Sequence, residues 1–194
     1  MPPKSRTPFT ILGCLTVEPM SGYDIKHFVD GSIVHFWSES YGQIYPTLAT
    51  LEQEGLIEGR CEPGERGRDK RVYRITGAGR EALEAWLREP AKPTRPRHEH
   101  SLKLFFGYNA GLDVTLEHLR HLRERTEETL ARYEEAEGRL AGRMEGEPDS
   151  RTPYWLIVLR GGIRYSRMVL EWCDESAETL HSVRSEAAGD EGAG

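Results

Sequence analysis

The chain has 194 residues, of which 37% are apolar and 30% are charged, a composition suited to a mainly helical protein with much exposed helix surface. No apolar run reaches the roughly 20 residues that span a bilayer, and no signal-peptide cleavage pattern is present, so a membrane protein is not expected. Three widely separated cysteines favour a reducing compartment, most simply the cytoplasm, without a disulfide framework or a zinc site.

The charge is unevenly distributed. The formal net charge is −6, but residues 1–97 are nearly neutral at +1, whereas residues 98–194 carry −7. The first half also contains one local basic cluster. General attraction to nucleic acid should therefore be modest, because phosphate would meet no overall positive field.

The first half begins with signals for three successive helices. The segment "TPFTILGCLTVEP" predicts a mostly buried helix that its last proline ends. Ser21, followed three residues later by Asp24, predicts the start of a second helix, which Gly31 ends. Ser40 and Gln43 form a third helix start of the capping-box type.

The third helix contains residues that helices usually avoid. Ile44, Leu48 and Leu51 recur at helical spacing and face inward. Gly42 and Pro46 lie on the other side, where they cost roughly 1 and 3 kcal/mol relative to alanine in a helix interior. The outward face is small and uncharged: Gly42, Gln43, Pro46, Ala49, Thr50 and Gln53. Such a face fits a DNA major groove; the alternative is that glycine and proline merely shape a helix start.

A hairpin follows this helix. Residues 56–61 and 71–76 predict two strands, and "EPGERGRD" separates them as a long tip. The tip and second strand concentrate five cations that could bind backbone phosphates or enter a minor groove, although a solvated turn is the simpler alternative. They are Arg66, Arg68, Lys70, Arg71 and Arg74.

A fourth helix begins at Thr76 and stops before Pro90. Its predicted inner face consists of Ala82, Leu83, Trp86 and Leu87. Three helices, a two-stranded wing and a further helix constitute a winged helix-turn-helix domain, predicted over residues 1–90.

Three strings carry a family resemblance: "ILGCLTVEPMSGYDIKHFV", "YGQIYPTLATLEQEGLIEGR" and "GRDKRVYRITGAGREALEAWL". They resemble the PadR family of bacterial transcriptional regulators, a likeness that implies a homodimeric cytoplasmic repressor released from its operator by a small molecule. Asp69 stands where the family often has proline, and it weakens the positive charge of the wing. The residues expected to contact DNA are Ser40, Tyr41, Gly42, Gln43, Tyr45, Pro46, Thr47, Thr50, Arg66, Arg68, Lys70 and Arg71.

The second half predicts a linker over residues 91–101, a helical dimerisation domain over 102–182 and a disordered tail over 183–194. Residues 112–144 carry a narrow 4-3 apolar seam that needs partner helices, and "YWLIVLRGGIRYSRMVLEWCDE" supplies another helix with a glycine pair. The resulting fold class is mainly α with a small β-wing. Predicted dimer contacts are Leu116, Leu119, Leu130, Tyr133, Leu159, Gly162 and Val169.

Six aromatic residues could surround an aromatic inducer between the domains or at the dimer interface, although plain helical core is the alternative: Phe105, Phe106, Tyr108, Trp155, Tyr165 and Trp172. His118 and His121, and likewise His98 and His100, are interpreted as solvated rather than metal-binding. No catalytic motif or cofactor site is predicted, so an enzyme is not expected. Two rivals to a DNA-binding repressor remain: a winged helix that binds only protein, and a small-molecule-binding accessory to an enzyme.

Overall fold

The computed structural model describes residues 6–33, 36–63, 69–92, 98–144 and 149–191, and for 143–144 and 183–191 it describes the backbone alone. The chain divides into two compact units, residues 1–94 and 95–194. The first unit contains α1 (Thr7–Val17), β1 (Met20–Ser21), α2 (Gly22–Ser32), α3 (Tyr41–Gln53), β2 (Ile57–Glu62), β3 (Lys70–Ile75) and α4 (Gly77–Arg88). The second contains α5 (Glu99–Phe105), a 3-10 turn (Gly107–Asn109), α6 (Leu112–Met144) and α7 (Thr152–Glu191).

The predicted fold class is confirmed: the structure is mainly helical with one small antiparallel sheet. The helix starts follow the local sequence signals. Ser21 and Asp24 form a reciprocal capping box, in which the Ser21 amide donates to Asp24 Oδ2 at 2.9 Å. At the start of α4, Thr76 Oγ1 accepts from the Gly79 amide at 3.1 Å. Gly55, with φ at +71°, follows the end of α3, where a left-handed residue is needed.

The core of the first unit lies between α1, α2, α3 and the sheet. Nine of its apolar side chains are essentially inaccessible to water: Ile11, Leu12, Met20, Ile25, Val29, Ile44, Leu48, Leu51 and Ile57. Burying each contributes roughly 1.5–3 kcal/mol before entropy is counted. Phe9 stacks on Trp86 with ring centroids 4.6 Å apart and joins α1 to α4. Leu87, predicted to be buried, is instead exposed on the outer side of α4.

The sheet has one strand more than the sequence predicts. Its order is β1-β3-β2, with β3 antiparallel to both neighbours. Met20 pairs with Tyr73 on one side of β3, and Ile57 pairs with Ile75 on the other. Strand β1 contains two residues, too few for an alternating pattern to be visible, and it exists only because β3 provides its hydrogen-bonding partners.

In the second unit, α6 and α7 pack along each other and run in opposite directions. Leu119 on α6 is buried in a cluster with Val169 and Cys173 on α7. The ring of Tyr133 lies against Gly162, where an added Cβ would come within 2.7 Å of it. Gly162 therefore accommodates an aromatic ring of the same chain rather than a second backbone.

This packing covers, within one chain, part of the seam that was predicted to face a second chain. Leu119, Tyr133 and Val169 are buried within one chain, and the other four predicted dimer contacts are already half-buried there. An apolar stripe shows that a helix is covered, but not by which helix. Three ion pairs flank the helix pair: Arg123–Asp174 at 2.8 Å, Arg160–Glu137 at 2.6 Å and Arg167–Glu134 at 2.7 Å.

Two segment boundaries differ from the predicted ones. Helix α5 begins at Glu99, so the last residues of the predicted linker are helical. Helix α7 continues to Glu191, and residues 183–191 extend it instead of forming a disordered tail. Elongating an existing helix is far easier than nucleating one, and this segment is rich in alanine and glutamate. Across the described ranges, no helix combines the length and apolarity needed to cross a membrane.

Candidate DNA-binding surface

The start of α3 is fixed by its own capping residues. Gln43 Oε1 accepts from the Ser40 amide at 3.0 Å and from the Ser40 hydroxyl at 2.8 Å. Both side chains are exposed, so the cap lies at the protein surface. The oxygen of the Gln43 amide is engaged by these two bonds, whereas its NH2 group is available as a donor.

The glycine and proline of α3 are not required by the packing of the chain. Gly42 is exposed, and the nearest atom to an added Cβ is the Ser40 hydroxyl at 3.8 Å, an ordinary contact. Pro46 is also exposed and interrupts the hydrogen-bonding pattern within the helix. Gly42 and Pro46 lower the stability of the helix without improving packing inside the protein. Their presence indicates that contact with a binding partner, rather than the fold, requires them.

The surface presented by α3 is uncharged over most of its length. Residues 41–51 include no acidic or basic side chain; Glu52 is the first. All eight predicted α3 contacts are exposed except Thr47, which is half-buried. The hydroxyls of Thr47 and Thr50 donate to backbone oxygens of Gln43 and Pro46 at 2.7 and 3.1 Å, respectively.

Two tyrosines connect this surface to α2. The rings of Tyr41 and Tyr45 are stacked with centroids 6.1 Å apart, and Lys26 lies 5.9 Å above the Tyr41 ring. Tyr45 covers Gly22 so closely that an added Cβ would lie 2.7 Å from its ring. Gly22 therefore leaves the space in which the Tyr45 ring packs on the start of α2.

A buried carboxylate that sequence reasoning missed holds the segment before α3. Glu39 is only 4% exposed, and its carboxylate accepts from Thr7 at 2.9 Å, from Thr10 at 3.1 Å and from Trp37 Nε1 at 2.7 Å. Glu39 immediately precedes Ser40, so these bonds attach the start of α3 to α1. An acidic residue in a loop gives no periodic signal, and only the folded chain brings its partners together.

Two of the described wing cations, Lys70 and Arg71, are already paired with acidic side chains of the same chain. Lys70 Nζ lies 3.1 Å from Asp24 Oδ2. Arg71 donates to Glu52 Oε1 at 2.8 Å, and the same oxygen accepts from the Gly59 amide at 2.9 Å. Arg66 and Arg68 lie outside the described residues.

The Arg71–Glu52 pair occupies space that Gly59 leaves open. A Cβ on Gly59 would lie 2.6 Å from Arg71 Nε and 2.7 Å from Glu52 Oε1, so glycine leaves the space that the pair occupies. The hydrogen bond from Arg71 lowers the pKa of Glu52 against the opposing effect of burial. Burial alone would raise the pKa of Asp24, but hydrogen bonds from Ser21 and Lys70 outweigh it and lower that pKa.

The six aromatic residues predicted to line a ligand pocket do not converge in the second unit. Four are exposed: Phe105, Phe106, Tyr108 and Tyr165. Trp155 lies beside Arg151 at 5.4 Å, and Trp172 lies 6.2 Å from the ring of His100. Neither of the two clefts described in this unit is lined by any of the six. Within the second unit of one chain, these six residues therefore do not form an enclosed ligand pocket.

The fold and the surface on α3 together define a winged-helix DNA-binding protein. Residues 11–85 match the Transcriptional regulator PadR-like family, and residues 96–181 match Virulence activator alpha C-term. The chain is 32% identical to the Probable transcriptional regulator Rv1176c of Mycobacterium tuberculosis, over 91% of this chain and 98% of that one. The chain belongs to the PadR family of transcriptional regulators, as its sequence motifs predicted, and this is a class without enzymatic activity.

Solved structures agree with this assignment. Bacillus subtilis PadR in complex with operator DNA matches with a TM-score of 0.81 and 23% identity, over 92% of this chain and 99% of that one, a likeness of fold. The Vibrio cholerae virulence activator AphA matches with a TM-score of 0.72 and 28% identity, over 91% and 99%. Bacillus subtilis PadR has also been solved with p-coumaric acid, matching with a TM-score of 0.71 and 23% identity, over 93% and 99%.

Proposed function

We propose that the protein is a homodimeric repressor that binds a palindromic operator and leaves it when a small molecule binds. Two copies of α3 would enter successive major grooves over a promoter and exclude polymerase. The observation that carries the proposal is the exposed, uncharged first half of α3, with a glycine and a proline that the chain's own packing does not require. A relative with operator DNA and one described as a negative regulator support it.

Gln43 is the residue best placed to read a base. Because its oxygen is bound by Ser40, its free NH2 group would donate to the N7 or O6 acceptors of a purine. A two-bond pairing with adenine would need the same oxygen and would therefore cost the helix cap. Thr50, whose hydroxyl is bound to the backbone, would offer its methyl group to thymine.

The wing would supply contacts to phosphate. Lys70 and Arg71 are exposed at their outer ends although both have acidic partners, so each can reach phosphate by sharing or exchanging that partner. Arg74 is exposed on β3 and forms no ion pair within the described ranges. Arg66 and Arg68 remain proposed contacts because both belong to the basic cluster of the sequence, and Arg68 also falls on the family's wing motif.

A homodimer would use a face of α7 different from the seam predicted from the sequence. Five large apolar side chains on α7 are at least 49% exposed: Tyr154, Ile157, Val158, Tyr165 and Met168. Their spacing places them along one side of the helix, with the exposed Gly161 between them. Water-exposed apolar rows of this kind mark interaction surfaces, and a second copy would bury this row against its equivalent.

The second copy would also complete a ligand site. Phe105, Phe106 and Tyr108 are exposed in one chain, and Phe105 meets Phe106 edge-on at 5.0 Å. Aromatic rings that are exposed in one copy and covered in the dimer would form a pocket for an aromatic inducer. The relative solved with p-coumaric acid supports this chemical class. An inducer that binds one arrangement of the dimer more tightly would shift the population away from the operator-binding state.

Binding of the purified protein to the DNA upstream of its coding region, against scrambled DNA, tests the proposal. A preference of roughly a thousandfold or more with two protected half-sites is expected. Replacing Gln43 by alanine should reduce discrimination at one base pair per half-site by about 1–3 kcal/mol. Thr16→Ala, at an exposed position near the end of α1, is the control and should change it little. Equal loss in both variants would contradict the assignment of Gln43.

The dimer face has its own test. Ile157→Asp should convert the protein from dimer to monomer in sedimentation velocity and reduce operator affinity, because a charge would be buried within the row. Leu87→Asp, at an equally exposed site on α4, should leave the mass unchanged. A monomeric unsubstituted protein, or a dimer unaffected by Ile157→Asp, would contradict this interface.

A further inference from the structure

Histidines gather at one place in the second unit. Four of the chain's seven fall between residues 98 and 121, at the start of α5 and along the first turns of α6. The sequence separates them into two pairs, which were interpreted as solvated. The folded chain brings His100 from α5 together with His118 and His121 from α6 in a cleft of about 250 Å³.

The lining of this cleft consists mostly of hydrogen-bond donors. Besides the three imidazoles it includes Lys103 and Arg125, with Leu122 as its apolar wall. One acid, Glu99, also lines it, but its carboxylate is paired with Lys103 at 3.0 Å. That pair cancels its own charge, so the cation left over in the cleft is the Arg125 guanidinium.

Arg125 differs from its neighbours on α6. Arg120 and Arg123 each hold acidic partners, with Arg120 to Glu124 at 2.6 Å and Arg123 to Asp174 at 2.8 Å. Among the described residues, Arg125 forms no ion pair and its guanidinium donates no hydrogen bond. A guanidinium without a partner, beside imidazoles that become donors at both nitrogens when protonated, is suited to an oxyanion.

The histidines themselves are not equivalent. His121 Nε2 lies 3.0 Å from Glu117 and 3.1 Å from Arg120, so both side chains compete with a ligand for it. The charge of His118 contributes to lowering the pKa of Glu99 and of Glu117, so an anion bound at His118 would share it with these two acids.

His100 lies 5.1 Å from the ring of His98 and beside Trp172, and no acid of the described residues pairs with it. Burial lowers the pKa of His100, and the charges of His98 and Arg125 lower it further. His100 is therefore neutral at pH 7 unless an anion offsets that repulsion.

A metal ion is the other usual occupant of clustered histidines. Within the described part of the chain, no group of three or more His, Cys, Asp or Glu side chains is positioned to hold one. Cations at Lys103 and Arg125 would also repel a divalent ion, whereas they attract an anion.

We propose that the cleft between α5 and α6 binds a small oxyanion, a carboxylate or a phosphate, through Arg125, His100 and His118. The volume of about 250 Å³ sets the size at a small molecule or the charged end of a larger one. Binding takes up protons, because the anion favours the charged imidazoles. None of the aromatic residues proposed for the inducer pocket lines this cleft, and its test uses the protein without DNA.

Isothermal titration calorimetry with inorganic phosphate and with sodium acetate, at pH 6 and pH 8 and constant ionic strength, tests the proposal. One anion or both should bind at least fivefold more tightly at pH 6, with proton uptake measured from buffers of different ionisation enthalpy. Binding of phosphate alone would indicate a phosphate group as the natural partner, and binding of acetate alone a carboxylate. Histidine C2-proton NMR should show the bound anion raising the pKa of His100.

Arg125→Gln should weaken the binding at least tenfold, and Arg132→Gln, two helical turns further along α6, is the matched control. Arg132 donates to Thr129 at 3.2 Å and does not line the cleft, so its variant should bind as the unsubstituted protein does. Both arginines are exposed, so neither change should affect folding. Equal weakening in both variants, the same affinity at both pH values, or no binding of either anion would overturn the proposal.

Discussion

The buried carboxylate of Glu39 gives a quantitative test of how the recognition surface is held. Replacing Glu39 by alanine removes the acceptor of three hydrogen bonds, from Thr7, Thr10 and Trp37. Bonds to a charged group contribute about 1.5–3 kcal/mol each when buried. Thr10 is half-buried and Trp37 is 37% exposed, so in the variant water can accept hydrogen bonds from both side chains in place of the carboxylate. We expect the free energy of unfolding of the first unit to fall by about 2–4 kcal/mol.

Urea denaturation followed by circular dichroism measures this loss as a shift of the transition midpoint at unchanged slope. Glu39→Gln retains the shape and one acceptor oxygen, so it should lose less than half as much. Glu18→Ala, at an exposed site just after α1, should be neutral. A loss below roughly 0.5 kcal/mol in Glu39→Ala would refute the reasoning, because it would mean that the desolvation of the carboxylate cancels its hydrogen bonds.

Two further predictions concern packing and pH. Gly162→Ala should destabilise the protein by about 1–3 kcal/mol, because the new Cβ meets the Tyr133 ring at 2.7 Å. Gly138→Ala, within α6, has open space and should stabilise by about 0.5–1 kcal/mol. Thermal unfolding of the two variants in parallel checks the opposite signs. The pKa of Glu52 is lowered by its hydrogen bond from Arg71, so its stabilising effect is complete above the ordinary glutamate pKa and is lost as pH falls through the lowered one. Glu52→Gln should therefore flatten the acid limb of the stability–pH curve, and an unchanged limb would contradict this pairing.

Features that depend on neighbouring residues in the sequence were predictable. The capping boxes at Ser21 and Ser40, the cap at Thr76 and the inward row of α3 follow from residues three or four positions apart, because a helix start satisfies its own backbone locally. The exposed positions of Gly42 and Pro46 followed from the same periodicity.

Features that depend on distant partners could not be predicted. Strand β1 exists through its pairing with β3, and Glu39 is satisfied by residues 29 and 32 positions away. The seam on α6 was real, but the sequence could not distinguish a helix of the same chain from one of a second chain. The histidine cleft likewise forms only when α5 packs on α6.

The internal ion pairs of Lys70 and Arg71 affect how operator affinity depends on salt. When a side-chain cation that has no acidic partner binds a DNA phosphate, a counterion is released from the DNA. Each such contact makes the fall of operator affinity with salt steeper. Lys70 and Arg71 are already paired with carboxylates, those of Asp24 and Glu52, before they meet a phosphate. When a phosphate replaces the carboxylate as the partner of Lys70 or Arg71, the freed carboxylate attracts a cation from solution. This uptake offsets the counterion released from the DNA, so the net number of ions released on binding falls. The affinity of this acidic protein for its operator should therefore tolerate salt better than a count of its basic wing residues would indicate.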